Sequence, residues 1–198
     1  MTITVFSVLL FAALLHASWN AIVKAGTDKL YSAISVSGTA AVMALIMLPF
    51  SPQPALASVP YLAVSCAFQV VYTVLVARTY QVSDMSQTYP LMRGTAPLLV
   101  ALISVIFLGD SLSSLAWAGI GVICLSILAM ACNGRNRSRQ GIWLALLNAC
   151  VIAGYTLVDG TGARLPGTAL GYTLWTFFLI GFCLLLGAMW MRRHEASR

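Results

Sequence analysis

What most constrains this chain is a recurrence of apolar runs close to the length needed to cross a bilayer, each closed by a few turn-forming residues. About 20 residues of α-helix span the hydrocarbon core, and runs of that order fall at roughly residues 4–24, 31–49, 58–77, 86–108, 112–132, 141–159 and 169–191. The breaks carry turn chemistry: Gly26-Thr27-Asp28-Lys29, Ser51-Pro52-Gln53-Pro54, Gly109-Asp110-Ser111, Asn133-Gly134-Arg135-Asn136 and Pro166-Gly167. A transmembrane β-barrel would read instead as ~10-residue segments alternating apolar and polar. Val36 to Phe50 and Leu98 to Leu108 carry apolar residues on every face. Composition agrees, with 60% hydrophobic residues, 8% charged and a mean hydropathy of +0.91, against about 25% charged in a soluble domain. The expectation is an all-α integral membrane protein of about seven transmembrane helices, with no break long enough for a separate domain.

The first run lacks the preceding Lys or Arg of a secretory signal and exceeds its usual apolar core, so it is expected to stay as a helix. Cys66, Cys124, Cys132, Cys150 and Cys183 fall inside or at the end of spans without close pairing. They read as small buried hydrophobes, with no metal site and no disulfide framework expected.

The net charge of +6 looks at first like a nucleic-acid signal. The basic residues nevertheless sort by side. Lys24, Lys29, Arg78, Arg135, Arg137, Arg139, Arg192, Arg193 and Arg198 lie at the odd-numbered connections or the C-terminal tail, Arg164 lies alone on the other side, and Arg93 lies within a span. Such a bias places the C-terminus in the cytoplasm. No soluble basic face is available to bind nucleic acid.

Ionisable and polar side chains within a span are costly and mark cavities or helix partners. In the first helix His16, Asn20 and Lys24 recur at i, i+4 and i+8 with Trp19 beside them, a stripe that either lines a cavity or serves as interhelical glue and interfacial anchor. Gln69, Tyr72 and Thr73 share a face of the third helix under the same two readings. The fourth carries Tyr89, Pro90, Arg93, Gly94 and Pro97. Its prolines remove backbone donors inside a span. Arg93 can hold a carboxylate or phosphate bidentately, or snorkel back towards Asp84. The candidate substrate-binding set is therefore Arg93, Tyr89, Asn20, Trp19, His16, Gln69 and Tyr72, with no catalytic residue and no cofactor. Only His16 and His194 supply imidazole, and no phosphate-cradling loop is present, so enzyme and ATP-driven readings are not supported.

The run Tyr89-Pro90-Leu91-Met92-Arg93-Gly94-Thr95-Ala96-Pro97-Leu98-Leu99, followed by Leu108-Gly109-Asp110, resembles the fourth-helix signature of the EamA-type drug/metabolite transporter superfamily. His16-Ala17-Ser18-Trp19-Asn20-Ala21 with Lys24 looks like that family's first helix, and Tyr155-Thr156-Leu157-Val158-Asp159-Gly160 like the opening helix of its second repeat. The resemblance implies a multi-pass plasma (inner) membrane carrier, often an efflux system for small polar or amphipathic metabolites, built from two five-helix repeats of opposite orientation. Residues 1–133 would then form one complete repeat, 134–140 a basic connecting loop, and 141–198 the first two helices of an inverted second repeat. Asn20, Trp19, Tyr89 and Arg93 would surround the cavity.

This chain departs from the family pattern at Asp110, where Glu is more usual, and in orientation, since complete members are often described with a cytoplasmic N-terminus. It also carries two helices of the second repeat where complete members have five. Transporters of this type place the solute at the repeat interface. Two expectations therefore stand together: a gradient-driven small-metabolite exporter, amino-acid-like or drug-like in substrate and completed by a second copy or a partner membrane chain, or a truncated remnant that carries no solute. Overlaying Ile22-Val23-Lys24 on Leu157-Val158-Asp159 makes Lys24 and Asp159 a candidate ion pair, although an interfacial position explains Asp159 as well. Gly154, Gly160, Gly162, Gly171 and Gly181 are expected at close helix approaches.

Overall fold

A computed structural model describes residues 3–107, 109, 111–133, 138–165, 167 and 169–196, without the side chains of 128, 130–133, 191, 192 and 194–196. Asp110, Arg135, Arg137, Pro166 and Arg198, and the side chains of Cys132, Arg192 and His194, thus lie outside the described residues. Every regular element among those described is helical: α1 (Ile3–Ala25), α2 (Lys29–Met47), α3 (Val59–Val82), α4 (Met85–Phe107), α5 (Ser114–Asn133), α6 (Arg139–Gly162) and α7 (Ala169–Ala196), with short 3-10 turns at Leu48–Phe50 and Leu56–Ser58.

The helix limits follow local chemistry. Asp28 caps α2 by accepting from the Leu30 and Tyr31 N–H groups at 2.9 and 3.0 Å, and Ser138 caps α6 by accepting from the Gly141 N–H at 3.0 Å. Pro60 stands in the first turn of α3, where no intrahelical donor is needed. α3 continues past its expected end near residue 77 to Val82, leaving only Ser83 and Asp84 to turn the chain into α4. α4 remains one helix through Pro90 and Pro97. Gly167 has φ +131°, and a Cβ there would stand 2.9 Å from the Ala55 nitrogen, so the α6–α7 connection lies directly on the α2–α3 connection.

Six stretches are long and apolar enough to cross a membrane: α1, Lys29–Phe50, Leu56–Val82, α4, α6 and Ala169–Trp190. The chain is a multi-pass membrane protein. The described apolar part of α5, Ser114–Ile127, is shorter. The α1 and α3 C-termini and the α2, α4 and α6 N-termini share one end of the bundle, where Gly26 meets Ser32 and where Lys24, Tyr80, Asp84 and Ser138 line one cavity.

Small residues decide which helix goes inside. Ala145, Ala149 and Ala153 of α6 are fully or almost fully buried, and α6 inserts between α3 and α4. A Cβ on Gly154 would come 3.0 Å from the Phe68 ring, and one on Gly181 of α7 would strike the Ser37 carbonyl oxygen of α2. Without a hydrophobic driving force between helices in lipid, such close backbone approach is the main source of association. The principal core joins Val23, Tyr72, Val76, Tyr80, Leu91 and Met92 to α6, while Ile34, Cys66, Ile180 and Leu184 form a second core between α2, α3 and α7.

Two expectations need correction. Gly160 has nothing within 4 Å of its Cβ position and mediates no close approach. Of the cysteines whose side chains are described, only Cys66 is buried, while Cys150 and Cys183 face outward. A thiol is apolar enough to sit against lipid, so an exposed position in a span carries no penalty.

Candidate functional site

Polar side chains inside the bundle form a ladder that runs from the basic end towards the opposite one. It begins at Asn20, which is 1% exposed. The Asn20 amide donates to the His16 carbonyl at 2.8 Å, and the Tyr80 hydroxyl donates to Asn20 Oδ1 at 3.0 Å. Trp19, adjacent to Asn20, points its Nε1–H over 3.2 Å at Nδ1 of His16, one turn earlier on α1. The other imidazole nitrogen, Nε2, faces Arg93 Nη2 of α4 at 2.5 Å. Arg93 also donates to the Tyr72 hydroxyl of α3 at 3.0 Å.

Aromatic rings surround this guanidinium. Its carbon lies 5.7 Å from the Tyr72 ring centre and 6.0 Å from that of Tyr89, within cation–π range. Tyr155 of α6 meets Tyr72 edge-on with ring centres 5.8 Å apart. Arg93 is eight residues into α4, about 12 Å from the helix's N-terminal end at 1.5 Å per residue. Pro97 has no N–H to offer the Arg93 carbonyl four residues earlier, so that oxygen lacks its usual helical partner.

The hydrogen-bond inventory at His16 does not close. Indole and guanidinium nitrogens only donate, and a neutral imidazole has one acceptor nitrogen. Trp19 and Arg93 therefore cannot both be hydrogen-bonded to His16. When Trp19 holds Nδ1, Nε2 carries the proton and faces the guanidinium as a second donor; in the other tautomer Nε2 accepts from Arg93 and the Trp19 N–H faces Nδ1–H. Among the described residues no carboxylate stands within salt-bridge distance of Arg93. An anionic acceptor beside Arg93 would neutralise the guanidinium and, in the first tautomer, also accept from Nε2–H.

The ladder continues one turn further on. Gln69 Nε2 donates to Ser65 Oγ at 2.9 Å and to Asp159 Oδ2 of α6 at 3.1 Å. The Tyr172 hydroxyl of α7 donates to Asp159 Oδ1 at 2.9 Å. Asp159 is half-buried, three residues before the end of α6, and Tyr155 lies one turn before it on the same face.

Six of the seven sequence-derived candidates, His16, Trp19, Asn20, Tyr72, Tyr89 and Arg93, are therefore gathered around one junction. Gln69 is placed on the same ladder but against Asp159. Arg93 turns to His16 and Tyr72, away from Asp84. Lys24 and Asp159 form no pair: Lys24 lines a cavity of ≈ 480 Å³ at the basic end with Tyr80, Gln81, Ser83, Asp84 and Ser138, and the 21 residues from Ser138 to Asp159 along α6 measure about 30 Å. The reading of Asp159 as interfacial misses its two hydrogen-bond donors.

Tyr80, Tyr155, Asp159 and Tyr172 were not among the candidate substrate-binding residues. The i, i+4 spacing of Tyr155 and Asp159, with the carboxylate inside the sixth apolar run, was the available signal. Asn148 is also fully buried, with its amide on Met92 Sδ at 3.0 Å and its Oδ1 unpartnered among the described residues. No group of three or more His, Cys, Asp and Glu side chains is gathered for a metal among the described residues.

No family model matches the chain, and no curated protein or solved structure is significantly similar to it.

Proposed function

We propose that the chain is a carrier of small solutes bearing a carboxylate or similar anionic group, of the EamA drug/metabolite type that its fourth-helix sequence resembles, moving them outward across the plasma (inner) membrane at the expense of a gradient. The observation that carries this reading is the Arg93 guanidinium itself, held within a membrane-length helix among His16, Tyr72 and Tyr89 with no carboxylate at salt-bridge distance among the described residues. A carboxylate seated there accepts from both guanidinium and imidazole and neutralises a charge otherwise held in a span without an acidic partner. Tyr72 and Tyr89 supply an aromatic wall that suits the apolar part of an amino-acid-like solute. The Lys24-lined cavity at the basic, cytoplasmic end is the entry for an anion, and the Tyr80–Asn20 pair separates it from the junction. α5 is the seventh crossing in this reading.

Counterflow of labelled amino acids and monocarboxylates in proteoliposomes tests it. Loss of a charge-assisted bond to a buried group costs about 2 kcal/mol or more, so Arg93→Ala is expected to weaken transport by about tenfold or more. Unchanged carboxylate transport by a correctly inserted Arg93→Ala protein refutes the assignment.

A subunit completed by another membrane chain is the second reading. His16, Trp19, Tyr89 and Arg93 are only half-buried, so the seam between α1 and α4 is open on its outer side. A second copy or partner over that seam closes the cavity. A monodisperse monomer that transports after reconstitution overturns this reading and leaves the first intact.

A further inference from the structure

We infer that Asp159, with Gln69, Ser65 and Tyr172 around it, is a proton-binding site within the membrane-spanning bundle, separate from the His16–Arg93 junction. The carboxylate lies on α6, inside a segment long and apolar enough to cross the membrane. An ionised side chain there is costly unless it has a partner or a function. Among the described residues no Lys, Arg or His stands within salt-bridge distance of it.

The chemistry of its partners sets this acid apart. Gln69 donates to Oδ2 and Tyr172 donates to Oδ1, and Ser65, held by the same Gln69 amide, is a further hydrogen-bond partner of the carboxylate. Amide and hydroxyl groups can both donate and accept. They stabilise a carboxylate by donating, and they stabilise the protonated acid by turning one lone pair towards its new O–H. A carboxylate paired with Lys or Arg has no such freedom, because those groups only donate, and it stays ionised. The shell around Asp159 is therefore compatible with both protonation states without rebuilding.

The groups that face Asp159 are few. Tyr172 approaches from α7 and Tyr155 from one turn earlier on α6, both titratable. α3 contributes the non-titrating Ser65 and Gln69, with Tyr61 against Gly162 at the end of α6. Arg164, five residues on, is exposed. Tyr155 also faces Arg93, so one tyrosine stands between the acid and the junction. Gln69 and Tyr172 tie the acid to α3 and α7, so a change in its charge alters the contacts of α6 with two neighbours.

Combined with the carrier reading, on which only this last step rests, Asp159 binds the proton whose gradient drives the solute. Protonation converts carboxylate and proton to the neutral acid, and release reverses it with no other reactant.

Two measurements on the purified full chain in nanodiscs or liposomes test the inference. Infrared difference spectra between acid and alkaline buffer are expected to show a carboxylic-acid C=O band that is absent in Asp159→Asn and unmoved by sodium. If the carboxyl bands of the wild type and Asp159→Asn are identical, the site does not exchange protons and the inference falls, whatever the solute results. In proteoliposomes, solute-dependent proton flux is expected to vanish in Asp159→Asn while solute counterflow persists. Proton flux that survives in Asp159→Asn overturns the coupling role. A wild type that carries no solute but shows the Asp159 band defeats the carrier reading and upholds the proton site.

Discussion

α1 and α6 are helices of 23 and 24 residues with equal hydropathy. The structure treats them differently. α6 is wedged between α3 and α4 and buries residues along most of its length, whereas α1 lies on the outside and, among the described residues, buries only Asn20 and Val23. Phe6, Leu9, Leu10 and Phe11 of α1 are all exposed, as a lipid-facing surface requires. Apolar length decides that a helix crosses the membrane; small side chains and polar anchors decide where it sits. α6 enters because Ala145, Ala149, Ala153 and Gly154 let three backbones approach. α1 has bulky leucines there and is attached through Asn20 to Tyr80 and through His16 to Arg93.

Substitutions that exchange these roles should break the comparison in order of size. The largest effect is expected from Ala149→Leu in α6. Ala149 is fully buried, and forcing extra methylenes into a packed core costs about 1–3 kcal/mol or more. Heating the detergent-solubilised protein and following the size-exclusion peak should show a clearly lower midpoint. A midpoint equal to wild type would mean that α6 is not where the structure puts it.

Asn20→Ala comes next. It leaves the Tyr80 hydroxyl without its acceptor in a dry position, which costs about 1–3 kcal/mol. The loss should fall on α1 alone, seen as increased proteolysis or solvent labelling near Gly26 while the α3–α6–α4 core keeps its protection. Equal loosening of both regions would show that the Asn20–Tyr80 bond holds the α3–α6–α4 core as well as α1. The smallest effect belongs to Leu10→Ala on the outer face of α1, within about 0.5 kcal/mol of wild type by the same melting measurement.

These differences explain what could be read in advance. The all-helical membrane class, six membrane-length helices, the turns at Gly26 and Ser51, and the polar character of His16, Trp19, Asn20, Tyr89 and Arg93 were legible, because polar groups and turn residues stand out against apolar sequence. The neighbour of each group was not. Gln69 and Tyr72 share a helix face, yet one meets Asp159 and the other Arg93, because that choice depends on α6 entering between α3 and α4. Asp159 read as an interfacial residue because only the tertiary fold brings Gln69 and Tyr172 to it. The Lys24–Asp159 pairing failed for a simple reason: matching positions in oppositely directed helices fall at opposite ends of the bundle.

The central claim is that the His16–Arg93 junction receives an anion. Its most direct test is equilibrium binding to the purified chain in nanodiscs, read as ligand-dependent stabilisation against heat, comparing amino and carboxylic acids with amines of the same carbon skeleton. The account predicts that carboxylates raise the melting midpoint of the wild type, that the matched amines do not, and that Arg93→Ala abolishes the rise. Stabilisation by amines and carboxylates alike, or a carboxylate effect that persists in Arg93→Ala, would contradict it.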